Sequence, residues 1–152
     1  EGTLSPESFG KYGEVVKTAD EADIIVLRLT TPFEPRDDHF MDSFFHQGRL
    51  YYSEDELKPI MDLISKKPTI VVVNLERPAI LTEINESCAA LLVDFGTSDE
   101  VLADLLFGNE KPSGKLPFEL PSSWDAVLKQ FEDVPYDSED PLYPFGHGLT
   151  FD

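Results

Sequence analysis

The hydrophobic pattern is organised around one stretch. Thr69–Asn74 reads Thr-Ile-Val-Val-Val-Asn, with four consecutive β-branched apolar residues from Ile70 to Val73. A run apolar on both faces predicts a strand covered on both sides, as in the middle of a parallel sheet. Pro68, which has no N–H for a ladder, marks its start. Asn74 stands at its carboxyl end, the edge of an open α/β sheet where ligands bind.

Two further apolar runs predict strands, Asp23–Leu29 before the central one and Ala89–Phe95 after it. Between them the period changes. Ser53-Glu54-Asp55-Glu56 is a capping box, and Leu57, Ile60, Met61 and Ile64 follow at helical spacing, with Pro59 predicting a kink or a shifted start. Pro78–Ser87 reads as a weaker helix, Pro78 being tolerated in the first turn. Thr97-Ser98-Asp99-Glu100 is a second capping box, leading into Val101, Leu102, Leu105 and Leu106, with Gly108 at the stop. Val15-Val16 suggests a short edge strand. Lys115–Leu120 alternates like a half-exposed strand that Pro117 confines to an edge. Ser122–Phe131 suggests a short helix, and Glu132–Asp140 an acidic solvated loop. The order strand, helix, strand, helix, strand, helix predicts a three-layer α/β/α sandwich of flavodoxin-like type, with a mostly parallel sheet and an irregular C-terminal tail. The connection Thr30–Tyr52 is long for a compact domain, which marks it as functional.

Composition narrows the field. The 152 residues suit one domain, 1–152, and a hydrophobic content of 41% suffices for a core. Against 12 basic residues stand 30 acidic ones, a formal net charge of −18, which argues against nucleic acid and against an anionic membrane surface. No apolar run reaches the roughly 18 residues of a membrane-spanning helix. A single cysteine, Cys88, excludes an internal disulfide and a cysteine-rich metal site. His39 and His46 lack a third ligand at a suggestive spacing, so no metal is expected. Lys111-Pro112-Ser113-Gly114-Lys115 lacks the glycine spacing of a phosphate loop and follows a helix, so no nucleotide is expected, nor any other cofactor. No leader peptide is read at the start, and Glu1 in place of Met points to a fragment or a processed product; the sequence names no compartment.

Three separated segments then converge. Lys67–Asn74 with Arg77-Pro78 resembles a strand-plus-"RP" signature. Leu102–Asn109 with Lys111–Pro117 resembles "ADLLFG…PSGKLP". Pro141–Phe151, Pro-Leu-Tyr-Pro-Phe-Gly-His-Gly-Leu-Thr-Phe, resembles "PLYPFGxGLSY". Together, across residues 23–151, they resemble the C-terminal α/β-sandwich domain of glycoside hydrolase family 3, the β-glucosidases and β-xylosidases. Gly96–Glu100 is shorter and more acidic than the glycine-rich element common at that place, and Tyr51-Tyr52-Ser53-Glu54 replaces a common Leu-Pro-Gly-Gln element; both bear on subfamily and substrate. The resemblance implies retaining hydrolysis of terminal β-linked glucose or xylose. It also implies a separate barrel domain, absent from this chain, that carries the nucleophile and most sugar contacts. The partners it implies are a β-linked saccharide and that barrel. The non-catalytic alternative is a freestanding sandwich that binds carbohydrate or a protein.

Retaining hydrolysis needs two carboxyl groups about 5–5.5 Å apart. In Pro32-Phe33-Glu34-Pro35-Arg36, Glu34 lies just past the carboxyl end of the first predicted strand, where Phe33 and the prolines are expected to brace and shield it, as an acid catalyst requires. Glu34 is therefore the candidate general acid/base. Arg36, Asp37 and Asp38 are candidates for substrate contact, the two aspartates also being secondary candidates for the acid. Phe40, Phe44, Phe45, Tyr51 and Tyr52 suggest a sugar platform, a domain-docking patch or packing under the loop. Exposed, these aromatics and those of the tail would make the isolated domain a homo-oligomer. Asn74, Glu76 and Arg77 sit at the same sheet edge, and an Arg77–carboxylate pair that holds the loop is expected there.

Overall fold

The structure, a computed structural model, describes residues 4–150; Phe151, the end of the aromatic tail motif, lies outside the described residues. Three strands, β1 (Ile25–Thr30), β2 (Thr69–Asn74) and β3 (Ala90–Asp94), form a parallel sheet in the order β1-β2-β3. The central strand has the predicted bounds, and Val71, Val72 and Val73 are 0% exposed. The helices are α1 (Pro6–Gly10), α2 (Glu54–Ile64), α3 (Thr82–Ser87), α4 (Asp99–Leu106) and α5 (Trp124–Lys129).

Strand register assigns the two faces. Leu27, Val71 and Leu91 are paired neighbours, as are Leu29, Val73 and Val93. They join Ile60 and Ile64 of α2 and Ile84 of α3 in the main core, together with Leu75, Ala79 and Leu81. Arg28, Val72 and Leu92 share the opposite face. There Arg28 reaches α4 by an ion pair with Asp99 at 2.6 Å and meets Asp94 at 3.0 Å. The half-buried guanidinium thus lies between two carboxylates, which offsets its desolvation. Asp94, itself buried, also accepts from Asn74 Nδ2 at 2.8 Å and from the Gly96 N–H at 2.9 Å. Asn74 is consumed by this network at the sheet's carboxyl edge.

Several boundaries move. The α2 capping box forms as expected, with Glu56 accepting from the Ser53 N–H at 2.7 Å and from its hydroxyl at 2.9 Å. Pro59 sits inside α2 without ending it. The N-cap of α4 is Ser98, whose hydroxyl accepts from the Val101 N–H, so the start falls one residue later than the Thr97 box implies. Gly108 follows α4 at φ +78, the left-handed position expected after a helix. Helix α3 begins only at Thr82, because Pro78–Leu81 run as an irregular segment whose Ile80 N–H bonds the Leu50 carbonyl at 2.7 Å. Val15-Val16 forms no strand. Lys115–Leu120 does not join the sheet. It bonds the tail instead: the Leu116 N–H donates to His147, and Leu120 makes an antiparallel bridge with Tyr143. Pro117 removes a ladder donor at the middle of that segment, which favours isolated contacts over a continuous strand. Between the segment, β3 and α4 lies a cavity of about 720 Å³ with no lining residue from the Thr30–Tyr52 connection.

The burial pattern makes a direct prediction. Leu81, 1% exposed in the main core, should cost about 2–5 kcal/mol when cut to alanine. Leu128, 66% exposed on α5, should cost less than about 0.5 kcal/mol. Urea unfolding of the two variants measures the difference, and equal losses would contradict the assigned core.

Candidate active-site loop

The connection between β1 and α2 is stapled to the carboxyl edge of the sheet. At its foot, the Thr31 N–H bonds the Asn74 carbonyl at 2.9 Å, and the Glu76 N–H bonds the Thr31 hydroxyl at 3.1 Å. At its far end, the Tyr52 hydroxyl donates to the Thr30 carbonyl at 2.6 Å, and burial pushes that phenol's pKa far up. Arg49 pairs with Glu56 at 2.8 Å, tying the loop to the first turn of α2. Burial opposes ionisation of Glu56, but the Ser53 N–H, Arg49 and the Ser53 hydroxyl outweigh it and leave the carboxyl below its ordinary pKa.

The strongest staple is Arg77. Its Nη2 donates to the carbonyls of Arg49 at 2.6 Å, Pro32 at 2.9 Å and Gln47 at 3.0 Å, and its Nη1 to that of Gly48 at 3.3 Å. Burial lowers the guanidinium's pKa, with the Glu76 carboxylate acting in the other direction. The loop is thus held by Arg77 as anticipated, but through backbone carbonyls and not through a paired carboxylate. Two further buried donors at this junction, Arg77 Nε and Gln47 Nε2, find no acceptor among the described residues.

Glu34 sits within this frame. Its N–H donates to the Gln47 carbonyl at 2.8 Å. Its side chain lies against Gly48, which adopts φ +74 and where any Cβ would overlap Glu34 Oε2. Only glycine combines that backbone angle with that approach. The shielding expected from Phe33 and the prolines is not supplied: Glu34 is 45% exposed with Arg36 Nη2 at 3.0 Å, while Phe33 stacks on His46 with ring centroids 4.0 Å apart. Arg36 is therefore the partner of Glu34 in this chain. Asp37 and Asp38 are exposed on the outer loop. His46 Nδ1 lies 2.8 Å from Glu76, and His39 Nδ1 3.3 Å from Asp42.

The aromatics divide. Tyr52 joins the core, whereas Phe40, Phe44 and Phe45 are 86%, 68% and 62% exposed, so packing under the loop is not their role. Sequence reasoning missed Gln47 and Gly48. The signal was a glycine flanked by polar residues at the loop's return, indistinguishable from an ordinary turn until Glu34 is seen against it.

The comparisons with known proteins agree with this architecture. The family described as Glycosyl hydrolase family 3 C-terminal domain matches residues 10–151. A β-glucosidase C of Emericella nidulans is 44% identical over 138 residues, covering 91% of this chain and 22% of that protein. A periplasmic β-glucosidase/β-xylosidase of Dickeya chrysanthemi is likewise 44% identical, covering 89% of this chain and 21% of that protein. Among solved structures, a β-glucosidase of Erythrobacter marinus superposes with a TM-score of 0.64 at 28% identity, covering 87% of this chain and 19% of that one. A Listeria innocua β-glucosidase in complex with glucose shares the fold, with a TM-score of 0.63 at 23% identity over 86% of this chain and 21% of its own. The chain spans about a fifth of the length of these relatives. With the parallel sheet, its flanking helices and the match over 10–151, the chain belongs to the glycosyl hydrolase family 3 C-terminal domain family.

Proposed function

We propose that this domain completes the active site of a retaining β-glycosidase acting on terminal β-linked glucose or xylose, with Glu34 as general acid/base. The observation that carries the reading is the placement of Glu34. Of the four carboxyls on the long β1–α2 connection, it is the one whose own backbone N–H is bonded to the Gln47 carbonyl on the returning leg of that loop, beyond the carboxyl edge of the sheet. The relatives named as β-glucosidases and β-xylosidases support the substrate class. The nucleophile, and the surface that would desolvate Glu34, belong in this reading to a barrel domain on the parent polypeptide. Arg36 would exchange its ion pair with Glu34 for a sugar hydroxyl or a barrel carboxylate when that surface closes, and Asp37 and Asp38 would stand at the rim of the sugar site.

Because the pair of carboxyl groups is split between domains, the chain alone should not turn over an aryl β-glycoside. Assay of highly purified chain checks this; turnover abolished by a point mutation within the chain would contradict it.

The exposed Phe40, Phe44 and Phe45 would face the barrel in the parent. Left uncovered, together with Phe145 of the tail at 51% exposure, they should drive the isolated chain to self-associate. Light scattering should show a mass that rises with concentration and falls after Phe40→Ser and Phe44→Ser. A strict monomer at high concentration would remove the argument.

The role of Glu34 is tested in the full-length enzyme. General acid catalysis contributes roughly 10²–10⁴-fold, most for poor leaving groups. Glu34→Ala should lower kcat on disaccharides by that order while sparing glycosyl-enzyme formation from an activated aryl glycoside. Azide should then speed turnover, since a small anion attacks the intermediate without a general base. Equal losses on both substrates with no azide effect would move the acid elsewhere, Asp37 and Asp38 being next in line.

A further inference from the structure

We propose that Arg77 is a positioning residue for the acid/base step: one guanidinium gathers the outgoing and returning strands of the Glu34 loop and so fixes where the Glu34 carboxyl stands. The inference rests on the reading of Glu34 above. Pro32, two residues before Glu34, and Gln47, which accepts the Glu34 N–H, both give their carbonyls to Arg77 Nη2, at 2.9 and 3.0 Å. The Glu34 backbone is therefore one shared acceptor away from the guanidinium. The side chain is set by the next residue of the return. Gly48 gives its carbonyl to Arg77 Nη1 and offers its bare α-carbon to the Glu34 carboxyl.

The other staples of the loop act at its feet or, like His46 on Glu76, on its returning leg alone. Tyr52 holds Thr30, Leu50 accepts from Ile80, and Arg49 pairs with Glu56. None of these bonds spans Pro32 and Gln47. Arg77 does, and it lies three residues past the end of β2, whose backbone is locked on both sides. The chemistry calls for arginine: a planar fork of fixed N–H groups can serve four carbonyls arriving from two strands, whereas a lysine ammonium presents its donors at a single point. It also calls for glycine at 48, since a methyl group there meets the Glu34 carboxyl at a backbone angle that L-residues rarely adopt.

The test is Arg77→Lys in the full-length enzyme, alone and combined with Glu34→Ala. A displacement of about 1 Å at a reacting group costs on the order of 10²-fold. Arg77→Lys should lower kcat by that order on a disaccharide with KM nearly constant, and should spare an activated aryl glycoside. In the Glu34→Ala background it should add little, because the group it positions is gone. Equal losses on both substrates, or losses that multiply in the double variant, overturn the proposal and leave Arg77 a stabilising residue. If Glu34→Ala itself shows no dependence on the leaving group, the acid/base reading falls first. Hydrogen exchange of amides 33–48 then decides the clamp: Arg77→Lys should speed it with β1 and β2 unchanged, and unchanged exchange overturns the clamp as well. Should Arg77→Lys fail to fold, Gly48→Ala, which keeps the guanidinium, must give the same substrate selectivity, and wild-type behaviour of that variant overturns the proposal.

Discussion

The structure depends on the burial of β2 from both sides. Val71 and Val73 face α2 and α3, Val72 faces α4, and none retains contact with solvent. A strand so enclosed must have a paired neighbour on each edge and helices on each face, which fixes the layered architecture. Parallel pairing also gathers the three carboxyl ends at one edge. Every feature of the candidate site hangs from that edge: Thr31 on the Asn74 carbonyl, Glu76 on the Thr31 hydroxyl, and Arg77 on the loop.

The two faces are built differently. The α2/α3 face is an apolar core that reaches into the Leu116–Leu120 segment and the tail through Tyr143, whose hydroxyl donates to Asn85 at 2.6 Å. The α4 face carries Arg28 between Asp94 and Asp99, an ionic arrangement whose loss of one partner would leave a charge half-buried and unpaired. Near it, Tyr12 and Lys11 bond Asp104 of α4 and tie the N-terminal segment down, with the Tyr12 ring stacked on Phe107 at 4.3 Å.

The strands were legible because they are continuous apolar runs, and α2, α4 and α5 because their caps use serine with acidic residues behind it; α1 was not read from the sequence. Errors fell where tertiary contacts override local pattern. Pro78–Leu81 has helix-compatible composition, yet its backbone is needed to meet Leu50, so α3 starts late. Lys115–Leu120 alternates like a strand, yet its donors go to His147 and Tyr143. In the candidate loop, the position of Glu34 just past β1 was legible from the sequence. Its partners were not: the carbonyls that Arg77 gathers carry no side-chain signature, and Gly48 matters only because Glu34 lies on it. The shielding expected from Pro32, Phe33 and Pro35 failed because the Phe33 ring is engaged by His46.

On the function proposed above, this domain delivers Glu34 across a domain boundary to a nucleophile on the barrel. A crystal structure of the full-length enzyme trapped as its glycosyl-enzyme intermediate tests it most directly. In that structure the Glu34 carboxyl should stand about 5–5.5 Å from the carboxyl that bears the sugar, released from Arg36 and shielded from bulk water. Glu34 still paired with Arg36 and facing solvent, with another carboxyl at that distance, would contradict it.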